Sequence, residues 1–298
     1  MVNVLISTYN GEKYIEEQLD SIFAQTNQDF HVYIRDDGSR DDTALRISDY
    51  IDNNNLHDKV SFVKGHNIGF CAGFYELLKE AKDGDYWAFC DQDDVWLPNK
   101  LELAVDWFDS QDNSVPLLYQ SGFFVGNENL SIQKPYIFAY FDYKFYNSIT
   151  SSVFFGFAMV INARLRDMFL MSNPNNIKYH DWFCSMIAAA FGNCYLSNEM
   201  GAVHRQYTAN ASPLYFFKKI PHGIKMLKGD RFYTSQAREF KRVYGDMLSD
   251  KDREILEWFQ MDSYNLKVAC KKAFYPKRWN PQIKVEIILR MLMLIGKI

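Results

Sequence analysis

Apolar and polar residues follow two different rhythms along the first hundred positions. "VNVLIS" at 2–7 is a short run of buried-strand type, and Phe30, Val32 and Ile34 recur at every second position. "VSFVKG" (60–65) and "YWAFC" (86–90) are two more runs of strand length. Between them the period becomes helical: Ile15, Leu19, Ile22 and Phe23 share one face, as do Phe70, Phe74, Leu77, Leu78 and Ala81. A further helix is expected from the turn "DDGSRDDT" to about Ile51. Strands alternating with helices predict an α/β domain built on a mostly parallel sheet.

Beyond the fourth strand the order loosens. The pattern predicts a helix near 99–109, a strand over "PLLYQSGFFV", an aromatic loop at 134–150 and a strand at 152–161. "YHDWFCSMIAAAFG" (179–192) opens on a polar trio and continues as an apolar helix, and "GAVHRQYTANAS" (201–212) follows. The remainder reads as helical, polar and basic, ending in "KVEIILRMLMLIGKI".

Composition sharpens this division. With 298 residues, 48% hydrophobic and 16% aromatic, the chain can bury a large core and is not of disordered type. The net charge of -4 conceals 15 Lys+Arg against 28 Asp+Glu in residues 1–212, and 18 against 9 in residues 213–298. An acidic front suits a metal-dependent site, and a basic, aromatic tail suits an anionic surface. The opening residues carry no leader-peptide pattern, and no apolar run reaches the roughly 18 residues of a spanning helix. Five cysteines without a Cys-x-x-Cys pair argue against a disulfide framework or structural zinc and favour a reducing cytoplasm.

The candidate chemistry lies at the strand ends. In "CDQDDVW" (90–96) Asp91 and Asp93 are two apart just past a strand, so both point to one side and Asp94 to the other. Two such carboxylates suit a hard divalent cation that takes its remaining ligands from water and a substrate diphosphate. The alternative is a solvated acidic loop with Asp94 or Asn99 capping the next helix. In "RDDGSRDDT", Asp36 and Asp37 serve either a turn or a nucleobase and ribose, while Asp41 or Asp42 can cap a helix. "STYNGEKY" (7–14) lacks the Gly-x-Gly-x-x-Gly fingerprint of dinucleotide sites; Tyr9 there either stacks on a base or simply packs. Asp181 is a carboxylate at the positive end of a helix or a general base.

Taken together, "VLISTYNGEKYIEEQLDSIFAQT", "IRDDGSRDDT", "GHNIGF", "CDQDDVWLPNKL" and "HDWF" resemble the inverting nucleotide-sugar glycosyltransferases of family 2, which have the GT-A fold. The combination of "CDQDDVW" with "HDW" is most similar to bacterial rhamnosyltransferases of surface-polysaccharide assembly. The resemblance implies a GT-A catalytic domain over 1–212, with a nucleotide-binding half (1–110) and an acceptor-binding half (111–212), and a helical extension over 213–298. It implies that Ser7 and Tyr9 hold the pyrimidine base, that Asp37 binds the base edge, and that Asn67 stands near the nucleotide. Asp91 and Asp93 become the D-x-D pair for Mn2+ or Mg2+, Asp93 the more direct ligand, and Asp181 becomes the catalytic base. His180 and Trp182 then shape the acceptor pocket, with Arg205 and Gln206 beside it. One departure stands out: the subgroup usually reads Tyr-Arg-Gln-His where this chain has "HRQY" at 204–207.

The implied donor is dTDP-rhamnose, with UDP-hexoses open, and the implied acceptor is a saccharide or lipid-linked saccharide. A sugar nucleotidylyltransferase and a non-catalytic sugar-nucleotide-binding module are the competing functions. The first would open with a Gly-rich phosphate loop, and the second would not need both Asp93 and Asp181. No nucleic-acid partner is expected. In the tail, Ile287, Ile288, Met291, Leu292 and Ile295 form an apolar face near Lys284, Arg290 and Lys297. One reading is a basic amphipathic helix on an anionic membrane, aided by Trp258, Phe274 and Trp279 and giving a peripheral location on the inner face. The other is a helix that packs on the catalytic domain or pairs subunits.

Overall fold

A computed structural model of the protein describes residues 1–136, 142–207, 232–261 and 263–298. The chain divides into two compact units. The first holds residues 1–136, 154–174 and 179–207; the second gathers, among the described residues, 142–153, 175–178 and those from 232 onward.

The first unit is built on one mixed sheet. Strands β1 (Val2–Thr8), β2 (Phe30–Asp36), β3 (Val60–Lys64) and β4 (Tyr86–Cys90) are parallel in the order β3-β2-β1-β4. Their connections are α1 (Ile15–Phe23), α2 (Thr43–Asn53) and α3 (Phe70–Glu80). The apolar rhythm explains the packing: α1 buries Ile15, Leu19 and Ile22, and α3 buries Phe74, Leu77 and Leu78. Strand β4 lies between two other strands and is buried at all five positions, which is why "YWAFC" does not alternate.

Past a two-residue strand β5 (Val95–Trp96) and helix α4 (Lys100–Asp109), β6 (Leu117–Gly126) and β7 (Ile132–Tyr136) form a hairpin. The second unit's short α5 (Phe145–Ser148) comes next in sequence. Strand β8 (Met159–Asn162) lies antiparallel between β4 and β6, and α6 (Ala163–Leu170) and α7 (His180–Phe191) lead to β9 (Asn193–Arg205), parallel to β6 and antiparallel to β5. Within the strand expected at 152–161 only Met159–Ile161 belong to the sheet, and residues 156–158 form a 3-10 turn. The buried Asn162 side chain accepts N–H bonds from Leu117 and Leu165, both at 3.0 Å, tying β6 to β8 and capping α6. Strand β9 is not marked by the apolar pattern, because "NCYLSNEMGAVHR" breaks alternation where its register against β6 shifts.

In the second unit Trp279, expected at a surface, is fully buried. Its indole stacks near Tyr275 and Phe259 and donates to the Lys272 carbonyl at 2.9 Å, so burying it leaves no polar group unpaired. Leu292 likewise turns inward at 8% exposure, whereas Phe274 is 73% exposed. Among the described residues no helix is long and apolar enough to cross a membrane.

The α7–β9 junction depends on Gly192, since a Cβ there would lie 1.9 Å from the Pro116 carbonyl oxygen. That contact is with backbone, which cannot swing aside. Gly192→Ala should lower stability by about 3 kcal/mol, the upper range of overpacking. In a thermal melt this appears as a midpoint roughly 6–12 °C lower; an unchanged midpoint would show that the junction yields freely.

Candidate active site

Because β1, β2 and β4 are parallel and adjacent, their carboxyl ends bring residues 7–11, 36–39 and 91–94 to one edge of the sheet, the usual ligand edge of open α/β sheets. The loops there are cross-linked. Gln92 accepts from the Tyr9 N–H at 2.8 Å and donates to the Tyr9 carbonyl at 3.1 Å, so one amide fastens the first loop to the acidic loop. Asn10 receives a hydrogen bond from Arg40 N–H at 2.9 Å and its own N–H donates to Ser39 Oγ at 2.9 Å. Tyr9 itself is 41% exposed, an aromatic face held by its backbone and open to solvent. Ser7 is half-buried and faces α3 at Gly73, where a Cβ would come within 2.6 Å of its hydroxyl.

Asp37 is only 2% exposed. Its carboxylate accepts from Ile68 N–H at 3.0 Å, from Gly69 N–H at 2.8 Å and from Arg35 at 3.3 Å, and so shapes the loop that carries the exposed Asn67. The Ile68 N–H is shared with the second carboxylate oxygen at 3.1 Å, so each oxygen takes two of these contacts. Asp41 rather than Asp42 supplies the cap-like bond to the Thr43 N–H, at 3.1 Å.

Asp91, Asp93 and Asp94 have ligand oxygens within 4.8 Å of one another. They are not equivalent. Asp94 is fully buried and engaged: His204 Nδ1 lies 2.9 and 3.1 Å from its two oxygens, and Arg205 N–H donates to it at 2.9 Å. Burial alone would lower the pKa of His204, but the charges of Asp94, Asp91 and Asp93 and the hydrogen bond to Asp94 outweigh it and raise the pKa, which favours the protonated ring beside the carboxylates. Its ring also stacks on Phe157 at 4.3 Å. Asp93 accepts the Tyr207 hydroxyl at 2.6 Å. Burial, with Asp94 and Asp93 adding repulsion, pushes Asp91 well above the usual carboxylate range, and Asp93 is raised for similar reasons.

Hard carboxylate oxygens on Asp91 and Asp93, whose pKa values are raised by burial and then by mutual repulsion, form a donor set that suits a hard divalent cation. Asp91 and Asp93 fit that task, since Asp94 is already committed to His204 and Arg205.

Arg205 is 2% exposed and its guanidinium is spent on protein partners. It donates to the Asp93 carbonyl at 2.7 Å, to Glu17 at 2.6 Å and to the Glu128 carbonyl, and lies 4.3 Å above the Tyr14 ring. Gln206 N–H donates to Gly126 carbonyl at 3.0 Å, while its side-chain nitrogen has no hydrogen-bond partner among the described residues. The strand pairing Val95–Val203 is what delivers these residues to the acidic loop. His204, Tyr207, Glu17 and Gln92 were not singled out from sequence; the pairing of two titratable side chains around Arg-Gln in "HRQY" was the available signal.

Asp181 occupies the first turn of α7 and is half-buried. Burial pushes its pKa up to about 6, against the pull of the Trp182 and Gly156 N–H groups. Its negative charge contributes to raising Asp91, so the two carboxylates share one electrostatic environment. His180 beside it is 5% exposed in a cage of Phe74, Phe89 and Phe70, with neither ring nitrogen hydrogen-bonded among the described residues, and burial holds it neutral with a pKa of about 3. Gly156 leaves room for it: a Cβ there would lie 2.8 Å from His180 Nε2. The Trp182 ring is half-buried and nearly parallel to Tyr179 at 6.4 Å.

Comparison with known proteins places the chain in a family. Residues 3–169 match the family Glycosyl transferase family 2. The chain is 30% identical to the dTDP-rhamnosyl transferase RfbG of Shigella flexneri over 262 residues, 81% of this chain and 85% of that one. It is 25% identical over 130 residues to the UDP-Glc:alpha-D-GlcNAc-diphosphoundecaprenol beta-1,3-glucosyltransferase WfgD of Escherichia coli, 44% of this chain and 49% of that one. Its fold is similar to that of S. aureus TarS in complex with UDP-GlcNAc, with a TM-score of 0.56 and 16% identity over 99% of this chain and 90% of that one. The chain belongs to glycosyl transferase family 2, and is a glycosyltransferase with the GT-A fold.

Proposed function

We propose that this glycosyltransferase moves rhamnose from dTDP-rhamnose, with inversion, to a saccharide or lipid-linked saccharide in cell-surface polysaccharide synthesis. The observation that carries this reading is the Asp91–Asp93 carboxylates past the end of β4 together with Asp181, whose neighbour His180 packs on Phe89 of that strand and whose charge acts on Asp91. The similarity to RfbG over most of both chains supports the donor. UDP-hexose is the second reading, favoured by the similarity to the UDP-Glc-dependent WfgD, whose diphosphoundecaprenol-linked acceptor also supports a lipid-linked one here. That acceptor suits a cytoplasmic enzyme working at the inner face of a membrane.

In this reading Tyr9 stacks on the base, Ser7 and Asp37 line its site, and Asn67 stands on the loop that Asp37 shapes. Asp93 and Asp91 would hold Mn2+ or Mg2+, which neutralises charge on the leaving diphosphate. Asp181 takes the proton of the acceptor hydroxyl as its oxygen attacks the anomeric carbon and the bond to the diphosphate breaks. One displacement inverts the configuration. Trp182 and the Gln206 amide face the acceptor, while His180 and Arg205 reach it through the positions they impose on Asp181 and the acidic loop.

Donor identity is tested by thermal shift with dTDP-rhamnose, UDP-glucose and UDP-GlcNAc, each with Mn2+ or Mg2+. Stabilisation by dTDP-rhamnose above the UDP sugars is the expected result, and the reverse order selects the second reading.

Asp93→Asn should abolish most transfer and weaken metal-dependent nucleotide binding while the melt is kept, because one anionic ligand is lost. Calorimetry with donor and Mn2+ measures it; equal affinity in parent and variant would remove the metal assignment.

Asp181→Asn should retain donor binding and lose transfer by roughly 10²- to 10⁴-fold, the scale of general base catalysis. The parent supplies a second check. A base must be ionised, and the carboxyl is raised to about 6, so the rate of the chemical step should climb as pH rises through about 6 and level off above it. A flat profile from pH 5 to 7, or full turnover in the variant, would assign the base elsewhere.

A further inference from the structure

The helix Ile283–Leu294 is apolar on two sides. Its inner side buries Leu289, Leu292 and Met293, together with Glu286. Its outer side leaves Ile283, Ile287, Ile288, Met291 and the following Ile295 between 45% and 61% exposed. Five large apolar side chains on one face exceed the scattered single exposures of an ordinary surface.

The face is held in a fixed orientation by polar anchors beneath it. Glu286 accepts N–H bonds from Trp279 and Asn280, both at 2.9 Å, and pairs with Arg290. Arg290 also donates to the carbonyls of Ala273, Tyr275 and Lys277. Rotating the helix to hide its outer face would break this set.

Charge identifies what the face meets. Residues 263–298 contain eight Lys+Arg and one carboxylate side chain, Glu286, which is 3% exposed and already paired. Lys267, Lys277, Arg278, Lys284 and Lys297 are exposed, Lys271 is exposed but paired with Glu254 at 2.7 Å, and Lys284 lies on the same side of the helix as Ile287, Ile288 and Met291. An apolar protein surface would gain little from this one-signed fringe, and a second copy of the same face would bring like charges together.

We propose that the outer face of Ile283–Leu294 docks on an anionic phospholipid bilayer. The helix lies in the interface plane, its isoleucines and Met291 enter the headgroup–acyl boundary by about 5–10 Å, and the basic fringe reads the lipid charge. The surface keeps Ile287, Ile288, Met291 and Ile295 of the face read from sequence and leaves out the buried Leu292 and Trp279. Its use at a lipid-linked acceptor rests on the transferase reading above, but the docking itself does not.

The test is co-sedimentation of the full chain with phosphatidylcholine vesicles, with and without about a third phosphatidylglycerol, at low and high salt. No sugar donor is present, so its failure would leave glycosyl transfer untouched. Binding to the anionic vesicles should fall at least about tenfold for the double variant Ile287→Asp, Met291→Asp, and Lys284→Gln should fall less and lose part of the salt dependence. Both substitutions are at exposed positions, and an unchanged circular dichroism spectrum confirms the fold. Equal partitioning of parent and double variant would overturn the proposal, as would equal binding to neutral vesicles at any salt. A parent that binds no vesicles but sediments as a dimer, reduced to monomer by the double variant, would assign the face to a second copy instead.

Discussion

Three carboxylates crowded within 4.8 Å at the end of a buried strand are the constraint around which this molecule is arranged. Two unit charges about 4 Å apart near a protein surface repel by about 4 kcal/mol, so the loop does not hold three free negative charges. The fold separates their roles. Asp94 is buried against His204 and the Arg205 N–H, Asp93 is held by Tyr207, and Arg205 clamps the backbone between them. The remaining repulsion is carried by Asp91 and Asp93, and it favours whatever positive charge arrives.

The exchange of Tyr and His in "HRQY" has a physical content in this light. His204 is on the strand, within reach of Asp94, and the longer Tyr207 reaches Asp93 from beyond the strand end. Both positions serve the same acidic loop, so the segment is tied to that loop from both of its ends.

Much of the first half was legible because local rhythm and burial coincide there. The four parallel strands, α1 and α3 are written in apolar spacing, and the acidic loop is written as three aspartates after an apolar run. What escaped were contacts between distant segments. Strand β9 was obscured by polar residues opposite a register shift, and Gln92 looks like any surface glutamine until the sheet brings Tyr9 beside it. Arg205 was legible as a site residue but not as one enclosed by Glu17, Glu128 and Asp93. Trp279 and Leu292 looked suited to a surface because composition does not tell which face of an all-apolar segment turns inward.

The separation of Asp94 from its partners, 110 residues to His204 and 111 to Arg205, bears on how the protein is made. A chain leaving the ribosome has its first four strands and the acidic loop long before the cations that complete them. During that interval the loop is a knot of like charge at the end of a strand whose second neighbour, β8, also comes later in the chain. The site is therefore among the last parts of the sheet to settle, and it closes only when β9 has been synthesised and paired beside β5 and β6. A nascent or truncated chain that stops earlier carries the acidic loop of the candidate site without the partners on β9 that hold it in shape.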